Sequence, residues 1–320
     1  MGDKEQITPF FSVVIPLFNK EDTIARTIHS VFAQTYRDWE LIVVNDGSTD
    51  DSLLIVNQLA KDIPFRIIDK SNEGVSVTRN IGARLANGKY IALLDADDIW
   101  YPNHLKLLYE AIKRYSDIKF FGTGYEKISG KYIYFTIPWG GVSIKDVYST
   151  FRYGQPINSS TVAIERELWN NIGGFDEHFS FYEDYEFFFR LGQLTKCCVI
   201  RQISAVYMSD AIQQTTRSYH KCSKVTRPHL AFIECMVQGK DIEPSMLAFA
   251  DAQIGVMVHK AYLKKDGAEI ALLAQEFPYL MHKFLPYLTS RWRLVKLIAA
   301  VWGLLIYKIR CHLIIWRRHA

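Results

Sequence analysis

The chain has 320 residues, 49% of them hydrophobic and 22% charged; these are ordinary globular values that exclude a disordered chain and leave room for about two domains. The formal net charge of +4 hides an asymmetry, because Phe277 to Ala320 carry eight basic residues and no acid, so that residues 1–276 are net acidic. Five scattered cysteines with no C-x-x-C pair exclude a disulfide framework and a four-cysteine zinc site.

The first residues, Met-Gly-Asp-Lys-Glu-Gln, hold no apolar stretch; no secretory signal and a reducing, cytoplasmic compartment are expected. Strand and helix patterns then alternate. Strands are predicted at Phe11 to Phe18, Trp39 to Asp46, Phe65 to Asp69 and Tyr90 to Asp95, from short apolar runs bounded by polar turns. Between them lie helical spacings such as Ile24, Ile28, Val31 and Phe32, and Ser48-Thr49-Asp50-Asp51 reads as a capping box. This alternation predicts an α/β fold with a mostly parallel central sheet, flanking helices and ligands at the carboxyl ends of the strands. Further strands are expected near Lys119 to Ile128 and Thr161 to Ile164, with helices near Lys145 to Phe151 and Asp184 to Leu191. Helices dominate from Thr226 to Leu288.

Polar clusters fall where such a sheet places its ligands. The first strand ends Pro16-Leu17-Phe18-Asn19, the second Asn45-Asp46-Gly47-Ser48 and the fourth Asp95-Ala96-Asp97-Asp98. Three carboxylates within four residues repel one another unless protons or a cation neutralise them. A solvated acidic turn would explain this cluster alone. With the other two clusters on the same rim, a hard divalent cation, Mn²⁺ or Mg²⁺, sharing carboxylates with substrate phosphates is expected.

In combination and in order, these motifs resemble the inverting family 2 glycosyltransferases of GT-A fold over roughly residues 10–208. The motifs that carry the resemblance are Val14-Ile15-Pro16 with Asn19, Val44 to Asp50, Asn72-Glu73-Gly74 with Thr78-Arg79-Asn80, Asp95-Ala96-Asp97-Asp98, and Gly174-Phe175-Asp176 followed by Glu183-Asp184. The resemblance implies that Pro16, Asn19, Asp46 and Arg79 hold the nucleotide, that Asp95 faces the ribose, and that Asp97 binds the metal bridging the diphosphate. It implies Asp184 as the catalytic base, with Glu183 second. Trp100 and Tyr182 are expected against the acceptor sugar. The donor half of the GT-A domain is expected over 1–105 and the acceptor half over 106–208. A lid loop with a helical appendix is expected over 209–290, and a basic amphipathic tail over 291–320.

Leu297 to Tyr307 is an uncharged apolar run of eleven residues, short of the ~20 needed to span a bilayer. At 100° per residue Arg293, Lys296, Arg310, Arg317 and Arg318 share an arc of about 120°, while Trp292, Trp302 and Trp316 supply interfacial aromatics. Peripheral association with the inner face of the cell membrane is expected. With the family resemblance, this leads to a hexosyltransferase that moves a sugar from a nucleotide-sugar donor, a UDP-hexose first, onto a lipid-linked sugar acceptor in surface-polysaccharide (O-antigen type) biosynthesis. No nucleic-acid partner is expected. Two alternatives share the sheet: a noncatalytic sugar- or lipid-binding scaffold, and a nucleotide-sugar pyrophosphorylase. The second should show a Gly-rich basic loop where Leu17 to Asp22 stands. A dinucleotide-binding fingerprint fails, since Gly122-Thr123-Gly124 is followed by Lys127 in place of a third glycine.

Overall fold

The computed structural model describes residues 8–129, 132–137, 140–152, 154–179, 182–208, 228–237, 243–263 and 267–281. The expected lid over 209–227 and the tail over 291–320 lie outside them.

The amino-terminal third follows the expected alternation: β1 (Phe11–Leu17), α1 (Ile24–Phe32), β2 (Trp39–Asp46), α2 (Ser52–Asp62), β3 (Arg66–Lys70), α3 (Val75–Arg84) and β4 (Tyr90–Leu93). Three helical crossovers make the pairs β1/β2, β2/β3 and β1/β4 parallel. Beyond them come β5 (Ile99–Trp100), α4 (His104–Arg114), β6 (Phe120–Ser129), β7 (Tyr132–Phe135), β8 (Val142–Lys145) and α5 (Val147–Phe151). After a 3₁₀ turn at Ser159–Thr161 follow β9 (Val162–Glu165), α6 (Arg166–Ile172), α7 (Glu183–Leu191) and β10 (Cys197–Met208). The sheet order is β3-β2-β1-β4-β9-β6-β10-β5, with β7 on β6 and β8 on β10.

Parallel pairing covers the first four strands and, in the second half, β6 with β10, while the remaining pairs are antiparallel. β9 runs antiparallel to both β4 and β6, and β5 and β8 are antiparallel to β10. The physical reason is the connection: β6 and β7 form a hairpin, which cannot be parallel, and β9 enters between β4 and β6 from the opposite direction. The capping box also does not form. α2 begins at Ser52, whose N–H donates to Asp50 Oδ1 at 3.0 Å, while Ser52 Oγ accepts from the Lys20 N–H at 2.7 Å.

Alternation along the central strands sends side chains to two cores. Val14, Ile42, Val44, Ile91 and Leu93 pack beneath α3, α5 and α7, whereas Val13, Ile15, Leu41, Val43 and Ala92 pack beneath α1 and α4. Gly82 lets α3 lie directly on β1, since a Cβ there would meet Val14 Cγ1 at 2.3 Å. The described helical region, α8 (Pro228–Val237), α9 (Pro244–Leu263) and α10 (Gly267–Glu276), continues the first of these cores. Phe249 of α9 meets Phe189 of α7 edge-on with ring centres 4.7 Å apart. The buried Glu234 of α8 accepts the N–H groups of Tyr279 and Leu280 at 2.6 and 3.0 Å, which fixes the chain just before the basic tail. Among the described residues no helix is both long and apolar enough to cross a membrane.

Candidate active site

The strand ends of β1, β2 and β4 share one rim of the sheet, as register requires: Pro16 lies beside Val44, and Leu17 beside Asn45. Asn19 adopts a left-handed backbone (φ 51°) and ties the first rim loop to the second. Its side-chain oxygen accepts the Thr49 N–H at 2.8 Å, and its own N–H donates to Ser48 Oγ at 3.1 Å. Asp46 is buried. Its two oxygens accept the N–H groups of Glu73 and Gly74 at 2.9 Å each, and Lys70 Nζ bonds it as well. Asp46 therefore organises the 70–74 loop, and its carboxylate is largely occupied by the protein itself.

Arg79, on α3, is the hub of the site. Its guanidinium donates to Asp95 Oδ1 at 2.7 Å and to Glu183 Oε1 at 2.9 Å, and it lies 5.1 Å from the centre of the Phe175 ring. Its side chain is 4% exposed. Two of the guanidinium nitrogens are thus taken by intramolecular carboxylates and the side chain offers almost no surface, so that in this structure Arg79 links the rim to α7 and makes no open face for a nucleotide. The two acids hold its pKa above the ordinary arginine value despite burial. The next residue, Asn80, donates to Phe175 O at 2.8 Å and accepts the Phe175 N–H at 2.9 Å. Gly174 (φ 74°) permits this, because a Cβ would stand 2.4 Å from Asn80 Oδ1. Ser76 donates to Phe179 O at 2.9 Å. One face of α3 thereby holds Phe175, Phe179 and Glu183.

The three carboxylates after β4 have three fates. Asp95 is pinned by Arg79. Asp97 accepts from Lys20 Nζ at 2.7 Å. Asp98 is buried, accepting from Ser160 Oγ at 2.5 Å and the Met208 N–H at 3.1 Å, and burial with Asp97 and Asp95 nearby raises its pKa well above the carboxylate range. Asp98 is a tether between β4 and β10. The rim thus presents oxygen donors from Asp95 and Asp97, with no group of three metal-ligating side chains among the described residues. That donor set fits a hard divalent cation completed by phosphate and water, and the Lys20 ammonium already meets Asp97 with positive charge.

Asp184 stands in the first turn of α7. Its Oδ2 accepts from Gln155 Nε2 at 3.0 Å and its Oδ1 from the Tyr185 N–H at 2.8 Å. Burial, then the neighbouring Glu183 carboxylate, push its pKa up to about 7, against the pull of Arg79. Glu183, by contrast, is engaged by Arg79. The helix is fixed from behind, where Arg190 pairs with Glu186 and donates to Gly174 O at 2.7 Å. Tyr182, which precedes α7, has φ 52°, uncommon for an aromatic residue, and its ring is 37% exposed, 5.6 Å from that of Tyr185.

Trp100 is corrected. It is 2% exposed, stacks on His104 at 4.2 Å and donates its indole N–H to Ser160 O at 2.6 Å, so no face is left for an acceptor. Sequence reasoning missed Gln155, which sits in an irregular loop and gave no signal, and the chemistry of Ser160. It also passed over Phe18, 43% exposed at the end of β1; an aromatic just beyond a buried strand was the available sign.

A GT-A sheet with a carboxylate-bearing rim defines a sugar-nucleotide transferase class. The Glycosyl transferase family 2 model matches residues 12–173, and the chain belongs to that family. WfgD of Escherichia coli, a UDP-Glc:alpha-D-GlcNAc-diphosphoundecaprenol beta-1,3-glucosyltransferase, is 32% identical over 176 residues, 54% of this chain and 66% of that protein. An uncharacterized glycosyltransferase of Rickettsia felis is 39% identical over 124 residues, 38% of this chain and 20% of that protein. The chain spans less than two thirds of the length of each of these relatives. Staphylococcus aureus TarS in complex with UDP-GlcNAc superposes with a TM-score of 0.67 at 18% identity, covering 91% of this chain and 81% of that one. At that identity the likeness is one of fold.

Replacing Arg79 by Met leaves the partly exposed Asp95 and Glu183 without their shared cation. Urea unfolding is expected to show a loss of about 2–3 kcal/mol, and a loss under about 1 kcal/mol would remove Arg79 from the centre of the site.

Proposed function

We propose that the protein is an inverting hexosyltransferase that uses Asp184 as base to move a sugar from a UDP-sugar onto a hydroxyl of a lipid-linked saccharide. The observation that carries this reading is Asp184 itself: a partly buried carboxylate in a helix first turn, held by an amide and a backbone N–H, with its pKa near neutrality. A base is most effective when its pKa lies near the working pH. WfgD acts, by its name, on a diphosphoundecaprenol-linked acceptor, and TarS binds UDP-GlcNAc; the same classes of acceptor and donor are proposed here. Residues 1–105 would serve the donor and 106–208 the acceptor.

In the proposed reaction the acceptor oxygen attacks the anomeric carbon from the face opposite the diphosphate. The bond to the phosphate oxygen breaks, its electron pair leaves with the nucleoside diphosphate, and the acceptor proton passes to Asp184. Gln155 orients the accepting carboxylate. Glu183 and Arg79 keep α7 against the end of β4, and Tyr182 offers the acceptor a ring. Pro16 and Phe18 line the nucleotide side, while Asp46 acts there through the 70–74 loop. Mn²⁺ or Mg²⁺ held by Asp97, with Asp95 beside it, would supply Lewis-acid charge to the leaving diphosphate.

Asp184→Asn is expected to lower kcat about 10²–10⁴-fold with UDP affinity unchanged. In the wild type, kcat/KM should climb with pH as Asp184 loses its proton and level off above about 7. An acid limb centred below about pH 5, or a product that retains the donor's anomeric configuration, would remove Asp184 from this role. A panel of nucleotide sugars assayed for hydrolysis is expected to select a UDP-hexose, with turnover abolished by EDTA and restored by Mn²⁺. EDTA-insensitive turnover would leave the metal out of the mechanism.

The basic tail is proposed to hold the enzyme on the cytoplasmic membrane surface beside its acceptor, each base near anionic lipid contributing ~1 kcal/mol. Vesicles of phosphatidylglycerol should sediment the full chain and leave behind a chain lacking residues 291–320. Equal sedimentation of the two would place the membrane contact elsewhere.

A further inference from the structure

We infer that Lys20 is a resident counter-cation that occupies Asp97 until the donor arrives, so that a divalent cation and the nucleoside diphosphate enter the site together. This inference rests on the assignment of Asp97 to the metal. Lys20 lies in the loop between β1 and α1, and its Nζ stands 2.7 Å from Asp97 Oδ2, with the two side chains only 16% and 13% exposed.

The pair is built in from both sides. The Lys20 N–H donates to Ser52 Oγ at 2.7 Å, which fixes the base of the side chain. The loop that carries Asp97 is clamped by α1 and its leading turn. Thr23 Oγ1 donates to Ala96 O at 2.8 Å, and Thr27 Oγ1 donates to Ala96 O and Asp98 O at 3.0 and 2.9 Å. Arg26 donates more distantly to Asp97 O at 3.4 Å. Neither backbone is free to carry its side chain away, so the ammonium and the carboxylate meet by construction.

A cation approaching Asp97 in the donor-free protein must displace this ammonium and leave a positive charge beside it. Charge repulsion therefore opposes the metal when it comes alone. A nucleoside diphosphate reverses the balance: its phosphate oxygens can take both the divalent cation and the displaced Lys20 ammonium, and Asp97 passes from one cation to the other. Metal and nucleotide then favour each other's binding, a reciprocal coupling that runs through Lys20. Lys20 is in this sense a positioning residue for the leaving group.

The test is Mn²⁺ titration followed by electron paramagnetic resonance of the free ion, with and without UDP, on the wild type, Lys20→Met and Asp97→Asn. Lys20→Gln is the second variant if Lys20→Met does not fold, as judged by circular dichroism. Without UDP, Lys20→Met should bind Mn²⁺ roughly five- to tenfold more tightly than the wild type. Added UDP should tighten Mn²⁺ binding to the wild type by a larger factor than to Lys20→Met. Equal Mn²⁺ affinity of wild type and Lys20→Met without UDP, while Asp97→Asn weakens the UDP-bound complex, overturns the role of Lys20 and leaves Asp97 as the metal ligand. If Asp97→Asn binds Mn²⁺ as well as the wild type does in the presence of UDP, the metal assignment fails and the role of Lys20 falls with it.

Discussion

The structure of the site depends on one buried cation held between two acids from distant parts of the chain. Arg79 reaches Asp95 at the end of β4 and Glu183 at the start of α7, residues 16 and 104 positions away along the sequence. Such an arrangement is costly to assemble, because desolvating a guanidinium and two carboxylates is repaid only by close geometry. What it provides is placement. The strand-end rim and the helix that carries Asp184 are brought within the width of one guanidinium. A neutral residue at 79 could fill the volume but could not bind both partners.

α3 extends that placement. Ser76, Arg79 and Asn80 lie three and one residues apart on one side of the helix, and they hold Phe179, Glu183 and Phe175 respectively. Their reach is reliable because α3 itself cannot shift: Gly82 seats it against Val14 of β1. The far side of α7 is held by Arg190 on the 172–174 turn and by Phe249 from α9. The helical region that follows β10 thus supports α7, and with it Asp184, by packing continuous with the core beneath the sheet.

Much of this was legible in the sequence where one residue type answers one local demand. The apolar strands with polar ends located the rim, and the Glu183-Asp184 motif fell at the start of α7 as its spacing predicts. The errors share a different cause. Trp100 is expected at the acceptor from its place beside the acidic cluster and Arg79 at the nucleotide from the family motif, yet their side chains, like that of Asp98, turn inward to partners 60, 104 and 62 residues away, namely Ser160, Glu183 and again Ser160. Single-sequence patterns report local periodicity and carry nothing about such long-range partners. Gln155 escaped for the same reason. Asn158-Ser159-Ser160, which resembles a glycosylation acceptor, is a buried turn whose Ser160 serves Asp95, Asp98 and Trp100 at once.

The cations divide the acids of this region into those matched by a basic side chain and those, Asp98 and Asp184, that are not. Asp46 is met by Lys70, Asp95 and Glu183 by Arg79, and Asp97 by Lys20. Each of these carboxylates has a basic partner in direct contact. Asp184 has contacts of another kind, an amide N–H from Gln155 and a backbone N–H from Tyr185. Those bonds orient the carboxylate without neutralising it, and burial next to Glu183 then sets the balance near neutrality. The acidic character of the body is therefore only partly a pool of available charge: most of these acids are matched by cations, Asp98 is buried as a tether to Ser160 and β10, and Asp184 is left partly exposed with its pKa near neutrality.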